Sequence, residues 1–249
     1  MSPDPTWPAG PEHARLSGGT VDVWRLDLAG ARDAQDSLAR LLDAEETARA
    51  ARFRFDVHRQ RFIARRGLLR RVLARYVSVA PDRPRFSVNA YGKPALIDPP
   101  DTELRFNLSH SDDWALLAVA AGCEVGVDIE RIRPEFAAES IPEQFFSPAE
   151  VIELRALPRD TQALGFFLAW TRKEAYIKAR GQGLSLPLDS FDVALSPARP
   201  AALLATRPTA EDAQRWSLHS LEPAPGYVGA LVVEGHDCSA CCWSLLPAG

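Results

Sequence analysis

Apolar and polar residues alternate along Thr20-Val21-Asp22-Val23-Trp24-Arg25-Leu26, the period-two pattern of a half-buried strand. An acidic start at Asp43-Ala44-Glu45-Glu46 opens a long helical region predicted to reach Tyr76, with Phe62, Leu69, Val72, Leu73 and Tyr76 recurring on one face. Phe86 to Val88 reads as a short strand before the turn Tyr91-Gly92-Lys93-Pro94. Leu104 to Ser109 and Trp114 to Ala120 read as hairpin partners joined at Ser111-Asp112-Asp113. Val125-Gly126-Val127-Asp128-Ile129-Glu130 alternates again. Beyond Pro134 the pattern turns helical, with a cap at Ser147-Pro148-Ala149-Glu150. The last strong helix runs from Thr161 to Ala179 and stops at Gly181-Gln182-Gly183. Short strands and turns follow, and residues 1–19, rich in Pro and Gly, read as a loose tail.

A faint repeat runs through this pattern. Phe62-Ile63-Ala64 and Phe167-Leu168-Ala169 each sit in a basic amphipathic helix followed by strands, and Arg105-Phe106-Asn107-Leu108 is echoed by Arg215-Trp216-Ser217-Leu218. The repeat predicts an N-terminal half over residues 20–122 and a C-terminal half over 123–249, with a ligand cleft between them.

Composition narrows the function. The 249 residues are 46% hydrophobic and 25% charged, enough to bury a real core in one large domain or two modest ones. A net charge of −4 gives no global case for a nucleic-acid partner. The longest apolar run, Trp114 to Cys123, is about half of the roughly 20 residues that a spanning helix needs. Met1-Ser2-Pro3-Asp4-Pro5 has neither the basic nor the apolar region of a secretory signal, so a cytoplasmic protein without membrane contact is expected. Cys238, Cys241 and Cys242 cluster near His236 but lack a second Cys-x-x-Cys pair, which favours a C-terminal strand of small apolar side chains over a zinc site. Only Lys93, Lys173 and Lys178 are lysine among 29 basic residues; the other 26 are arginine. In such a chain, lysine marks places where a compact ammonium is required.

Asp128 and Glu130 fall on one face of a strand, where two carboxylates repel unless solvated or bridged by a cation such as Mg²⁺. A wet strand face is the plain alternative. Trp170, Glu174 and Lys178 stack at i, i+4 and i+8 along one helical stripe, which as a surface feature is only an ion pair. Trp170 sets that stripe against something apolar, and two of the scarce lysines fall in this helix. In Asn107-Leu108-Ser109-His110-Ser111 the hydroxyl of Ser109 and the imidazole of His110 face opposite ways, so they form no nucleophile–base pair. A phosphate contact with His110 as donor suits them better; a hairpin-tip histidine is the plain alternative. Ten arginines lie between Arg49 and Arg75, and Arg61 and Arg65, one turn apart, could grip one phosphate. Nucleic-acid binding is the rival reading of that helix. The chain carries no Gly-x-x-x-x-Gly-Lys loop, dinucleotide fingerprint or His-Glu-x-x-His pair.

Asn107-Leu108-Ser109-His110-Ser111, Gly126-Val127-Asp128-Ile129-Glu130 and Phe167-Leu168-Ala169-Trp170-Thr171-Arg172-Lys173-Glu174-Ala175-Tyr176-Ile177-Lys178, flanked by Gly92-Lys93-Pro94 and by Gly181-Gln182-Gly183-Leu184-Ser185-Leu186-Pro187-Leu188, resemble the 4′-phosphopantetheinyl transferase superfamily. The length and two-half build resemble its long single-chain, surfactin-synthetase-activating type. The resemblance implies an α+β fold of two similar subdomains related by a pseudo-two-fold, each a small mainly antiparallel sheet packed with a long helix. It implies a monomer that moves phosphopantetheine from coenzyme A to a serine of an acyl or peptidyl carrier protein, releasing adenosine 3′,5′-bisphosphate. By the same resemblance Asp128, Glu130 and Glu174 ligate Mg²⁺, and Lys178 and His110 contact coenzyme A phosphates. Lys93 and Ser109 belong to that pocket, and Arg61, with Arg65 close behind, meets the 3′-phosphate. Glu46 stands where some members carry a basic residue near the adenine, and Arg49 is the substitute. The chemistry agrees: a pyrophosphate must be neutralised before an alcohol attacks phosphorus, and Glu174 is the candidate base, directly or through water. A Mg²⁺-dependent pyrophosphate hydrolase and a nucleic-acid module built on the arginine helix are the alternatives.

Overall fold

A computed structural model describes residues 7–16, 19–98, 102–137, 141–236 and 238–245. The N-terminal part runs β1 (Thr20–Asp27), α1 (Gln35–Ala39), α2 (Ala44–Ala51), α3 (Asp56–Val77), β2 (Phe86–Val88), β3 (Pro94–Leu96), β4 (Leu104–Ser111) and β5 (Trp114–Ala121). The order then recurs as β6 (Val125–Arg131), short helices α4 (Pro134–Ala137), α5 (Ile141–Phe145) and α6 (Pro148–Ala156), long helix α7 (Arg159–Arg180), and strands β7 (Phe191–Val193), β8 (Leu203–Thr206), β9 (Trp216–Leu221) and β10 (Tyr227–Glu234). One further strand, β11 (Ser239–Leu245), closes the chain's described part.

Each long helix packs on its own sheet. The first sheet has the order β11-β1-β5-β4 and the second β6-β10-β9, antiparallel throughout except that β1 and β11 are parallel. Leu68, Leu69, Val72 and Leu73 of α3 pack against Trp24, Leu26, Phe106 and Leu117. Phe167, Tyr176 and Ile177 of α7 pack against Leu218, Ala230 and Val232. The remaining sheet faces share a third core, with Val21, Val23, Leu116 and Ala118 meeting Val125, Val127, Ile129 and Leu231. This is the α+β, pseudo-two-fold build that the sequence suggested.

The helical region expected from Asp43 is two helices. Asp43 and Glu46 form a reciprocal capping box at α2. The chain then breaks at Phe53, whose ring turns in on Phe62 at 5.4 Å, and restarts from an extended Phe55. The loose tail is also corrected over residues 7–16. Trp7 is buried, its Nε1 donates to the Glu222 carbonyl at 3.0 Å, and the Gly10 amide donates to the Ser244 carbonyl at 3.0 Å. Residues 1–6 and 17–18 of that expectation lie outside the described residues. The cysteine-bearing C-terminal strand exists as β11, but it joins β1 in the other half's sheet, and all four cysteines are free thiols. No helix among the described residues is long and apolar enough to cross a membrane.

The two sheets are separate ladders that lie side by side along β4 and β6, and side chains stitch this seam. Asn107 Oδ1 accepts from the Val127 amide at 2.9 Å. Ser109 Oγ donates to Asp128 Oδ1 at 2.7 Å, and Ser111 Oγ donates to Glu130 Oε2 at 2.8 Å. Helix α7 lies directly on β6 because Gly126 has no side chain: a Cβ there would stand 2.1 Å from the Ala175 carbonyl oxygen and 2.4 Å from the Ala179 amide. Gly126→Ala is therefore expected to push α7 off β6 and to destabilise the fold by about 1–3 kcal/mol, read from chemical denaturation.

Candidate active site

Lys178, one turn after Glu174 on α7, reaches across to β6 and β4. Its Nζ donates to Asp128 Oδ1 at 2.6 Å and to Ser109 Oγ at 3.0 Å. Asp128 is buried, and its Oδ2 has no hydrogen-bond partner. Burial, then the neighbouring Asp128, pushes the Glu130 carboxyl up to about 7, against the pull of its Ser111 hydrogen bond. Burial also raises Glu174, with Lys178 opposing and Asp128 adding to the rise. Like charges crowded in a poorly solvated seam resist ionisation unless a cation joins them.

Among the described residues, no three His, Cys, Asp or Glu side chains stand together as a metal site. Lys178 sits on Asp128 Oδ1, and Ser111 holds Glu130 Oε2. The donor set nevertheless fits a hard divalent cation: it is all carboxylate oxygen, and Asp128 Oδ2 is buried without a partner.

Because strand side chains alternate, His110 leaves the seam and turns toward α3, where its Nε2 meets Arg65 Nη1 at 2.5 Å. Burial, then Arg65, Lys178 and Arg61, lowers the His110 imidazole to about 4, although the ring keeps a solvated edge that tempers the effect. Burial and then Arg66 and Arg49 bring Arg65 down to about 10, and its Nε is buried without a partner. The cluster is short of negative charge. Arg65 also lines a cavity of about 430 Å³, whose wall carries Arg49 and Arg66 but also Asp43, Glu45 and Glu46, beside Phe62 and Phe86. A larger hollow of about 740 Å³, between Gly10, His13, Arg71 and Ser244, has none of the seam's carboxylates in its wall.

Several expected residues are held by protein partners. Arg61 and Arg65 do not converge: Arg61 clasps Asp113 at the β4–β5 tip through Nε and Nη2, both at 2.9 Å. Lys93 donates to Glu124 Oε2 at 2.6 Å, the Ala179 carbonyl at 3.0 Å and the Val125 carbonyl at 3.2 Å, so its ammonium is fully engaged within the protein. Glu46 is buried between Arg66 and Arg70, which lie over the Phe86 ring. Many arginines of α3 are likewise held internally, Arg66 and Arg70 on Glu46 and Arg71 on Ser37, which accounts for part of their density.

Sequence reasoning missed the seam roles of Asn107 and Ser111. The signal was present: Asn107, Ser109 and Ser111 share one face, opposite a strand with carboxylates at the same period. Trp170 stacks on Phe166 at 5.9 Å and meets Phe145 edge-on, forming with Ile141 an apolar groove of about 330 Å³ beside Glu130.

A model of the 4′-phosphopantetheinyl transferase superfamily matches residues 124–235, and one of an N-terminal 4′-phosphopantetheinyl transferase region matches residues 31–122. Over 231 residues the chain is 40% identical to 4′-phosphopantetheinyl transferase HetI of Nostoc sp. (strain PCC 7120 / SAG 25.82 / UTEX 2576), covering 92% of this chain and 94% of that one. It is 41% identical over 128 residues to 4′-phosphopantetheinyl transferase Sfp of Bacillus subtilis (strain 168), covering 51% and 55%. Among solved structures, the Chronobacterium ammoniagenes ACPS-CoA complex matches at 24% identity with a TM-score of 0.35, covering 46% of this chain and 98% of that one.

Proposed function

The chain belongs to the 4′-phosphopantetheinyl transferase superfamily, and from that premise we propose that it moves 4′-phosphopantetheine from coenzyme A to a serine hydroxyl of an apo carrier protein, with adenosine 3′,5′-bisphosphate as the leaving product. One observation carries the reading: Lys178 Nζ ties Asp128 of β6 to Ser109 of β4, and the next residue of β4, His110, meets Arg65 in the wall of the 430 Å³ cavity. In this reading the nucleotide lies in the 430 Å³ cavity, with its 3′-phosphate toward Arg65 and His110. Lys178 neutralises one pyrophosphate oxygen. Asp128, Glu130 and Glu174 would hold Mg²⁺, which supplies the remaining charge neutralisation on the pyrophosphate. Glu174 takes the proton of the carrier serine as its oxygen bonds to phosphorus, and the phosphorus–oxygen bond to the bisphosphate breaks. The chain supplies no nucleophile. Both halves wall the site, so a single chain is sufficient for it.

The acceptor separates this from pyrophosphate hydrolysis. Release of adenosine 3′,5′-bisphosphate from coenzyme A is expected only when an apo carrier is present. Equal release without carrier would identify a hydrolase instead.

The imidazole gives a pH prediction. In the free protein burial and the charges of Arg65, Lys178 and Arg61 lower the His110 imidazole toward about 4, tempered by its solvated edge, and a phosphate beside it raises it back toward the ordinary histidine range. Nucleotide binding between these limits therefore takes up a proton, so affinity rises as pH falls from 7 toward 5. Calorimetry of adenosine 3′,5′-bisphosphate binding in buffers of different ionisation heat measures that uptake. It should vanish in His110→Gln.

A further inference from the structure

We propose that Lys93 is a positioning residue: its ammonium locks the tip of the β2–β3 hairpin, one lip of the nucleotide cavity, onto the two elements that carry the carboxylates and Lys178. The proposal rests on the reading above only for its kinetic consequences.

The tip is built to present this side chain. Asn89 Oδ1 accepts the amides of Tyr91 and Lys93, both at 2.9 Å, which closes the Asn89–Lys93 loop around Gly92 at φ +84°. The same Asn89 donates through Nδ2 to the Gly181 carbonyl at 2.9 Å. Lys93 then donates to the Ala179 carbonyl, the Val125 carbonyl and Glu124 Oε2. The Ala179 and Gly181 carbonyls lie at the C-terminal end of α7, where the last carbonyls lack helical partners and the helix dipole favours a cation. The hairpin tip is thus a C-terminal cap supplied from another part of the chain.

This one group joins three parts of the site. Ser87, Val88, Gly92 and Pro94 line the cavity; Val125 opens the strand of Asp128 and Glu130; Ala179 follows Lys178. An ammonium has three donors and here meets three protein acceptors, with the side chain 14% exposed, so no donor is directed at a phosphate. A guanidinium could not fill the same tripod, because its donors lie in a plane.

The test uses Lys93→Met, Lys93→Arg and the milder Glu124→Gln, whose carboxylate is exposed enough for the variant to fold. Hydrogen exchange on the free full chain should speed by about tenfold across residues 86–96 in both Lys93 variants, and by less in Glu124→Gln. In turnover, Lys93→Met should raise the KM for coenzyme A and for 3′-dephospho-coenzyme A by the same factor, about tenfold, with kcat nearly unchanged. Unaltered exchange, a KM rise confined to the 3′-phosphorylated substrate, or full retention of function by Lys93→Arg would overturn the proposal. If wild-type protein turned over neither substrate, the transfer reading would fail while exchange still decided the role of Lys93.

Discussion

Glu174→Gln is expected to bind coenzyme A normally and to transfer its phosphopantetheine at least about a thousandfold more slowly, the scale of a lost general base. The substitution keeps the shape of the side chain and removes its charge. Glu174 stands on α7 one turn from Lys178, beside Asp128, while the cavity proposed for the nucleotide is walled in part by Arg49, Phe62, Arg65 and Phe86. Binding and chemistry are therefore separable. Burial raises the Glu174 carboxyl, so it holds a proton more readily than an exposed carboxylate would. Single-turnover kinetics and equilibrium binding on the same preparation check both halves of the prediction. A loss of binding equal to the loss of rate would make Glu174 a substrate ligand only.

Glu150→Ala is expected to cost about 3–5 kcal/mol of folding stability, because it strands a buried ammonium. Lys173 has no exposed side-chain surface and bonds Glu150 Oε2 at 2.8 Å, the Leu188 carbonyl at 2.7 Å and the Phe191 carbonyl at 2.6 Å. Glu150 also accepts the Ser147 amide at 3.0 Å and the Val193 amide at 2.8 Å. Removing it leaves the cation with two carbonyls but without the Glu150 charge, and takes the carboxylate partner from two buried amides. Urea denaturation should show the full loss, whereas Glu153→Ala, at a partly exposed ion pair with Arg199 at 3.7 Å, should change stability by no more than about 1 kcal/mol. A loss below about 1 kcal/mol for Glu150→Ala would mean that Lys173 is neutral in the folded protein, as burial favours.

These two predictions show how far the sequence could be read. The scarcity of lysine was informative: Lys93 and Lys173 each sit in a tripod of oxygen acceptors, and Lys178 bridges Asp128 and Ser109. Scarcity could not say which lysine faces a substrate. Lys173 is a core residue, although it lies in the same helix as Lys178. Local periodicity located β1, the β4–β5 hairpin, β6 and α7, because each buries one face and the alternation records it. It was blind to partners far along the chain. Trp7 packs near Glu222, and β11 pairs with β1 across more than two hundred residues, contacts that no local pattern encodes. Helical spacing put Arg61 beside Arg65, but it could not show the hairpin tip that holds Arg61, which is a tertiary neighbour.

The central claim is that the seam between β4 and β6, with α7 laid across it, moves a phosphopantetheine group. Its most direct test is the intact mass of an apo carrier protein incubated with coenzyme A and Mg²⁺, with wild-type enzyme and with Glu174→Gln in parallel. A gain of one phosphopantetheine on the carrier serine with wild type, and none on the same timescale with Glu174→Gln, is the predicted result. An unmodified carrier with wild type, or equal modification by both proteins, would contradict it.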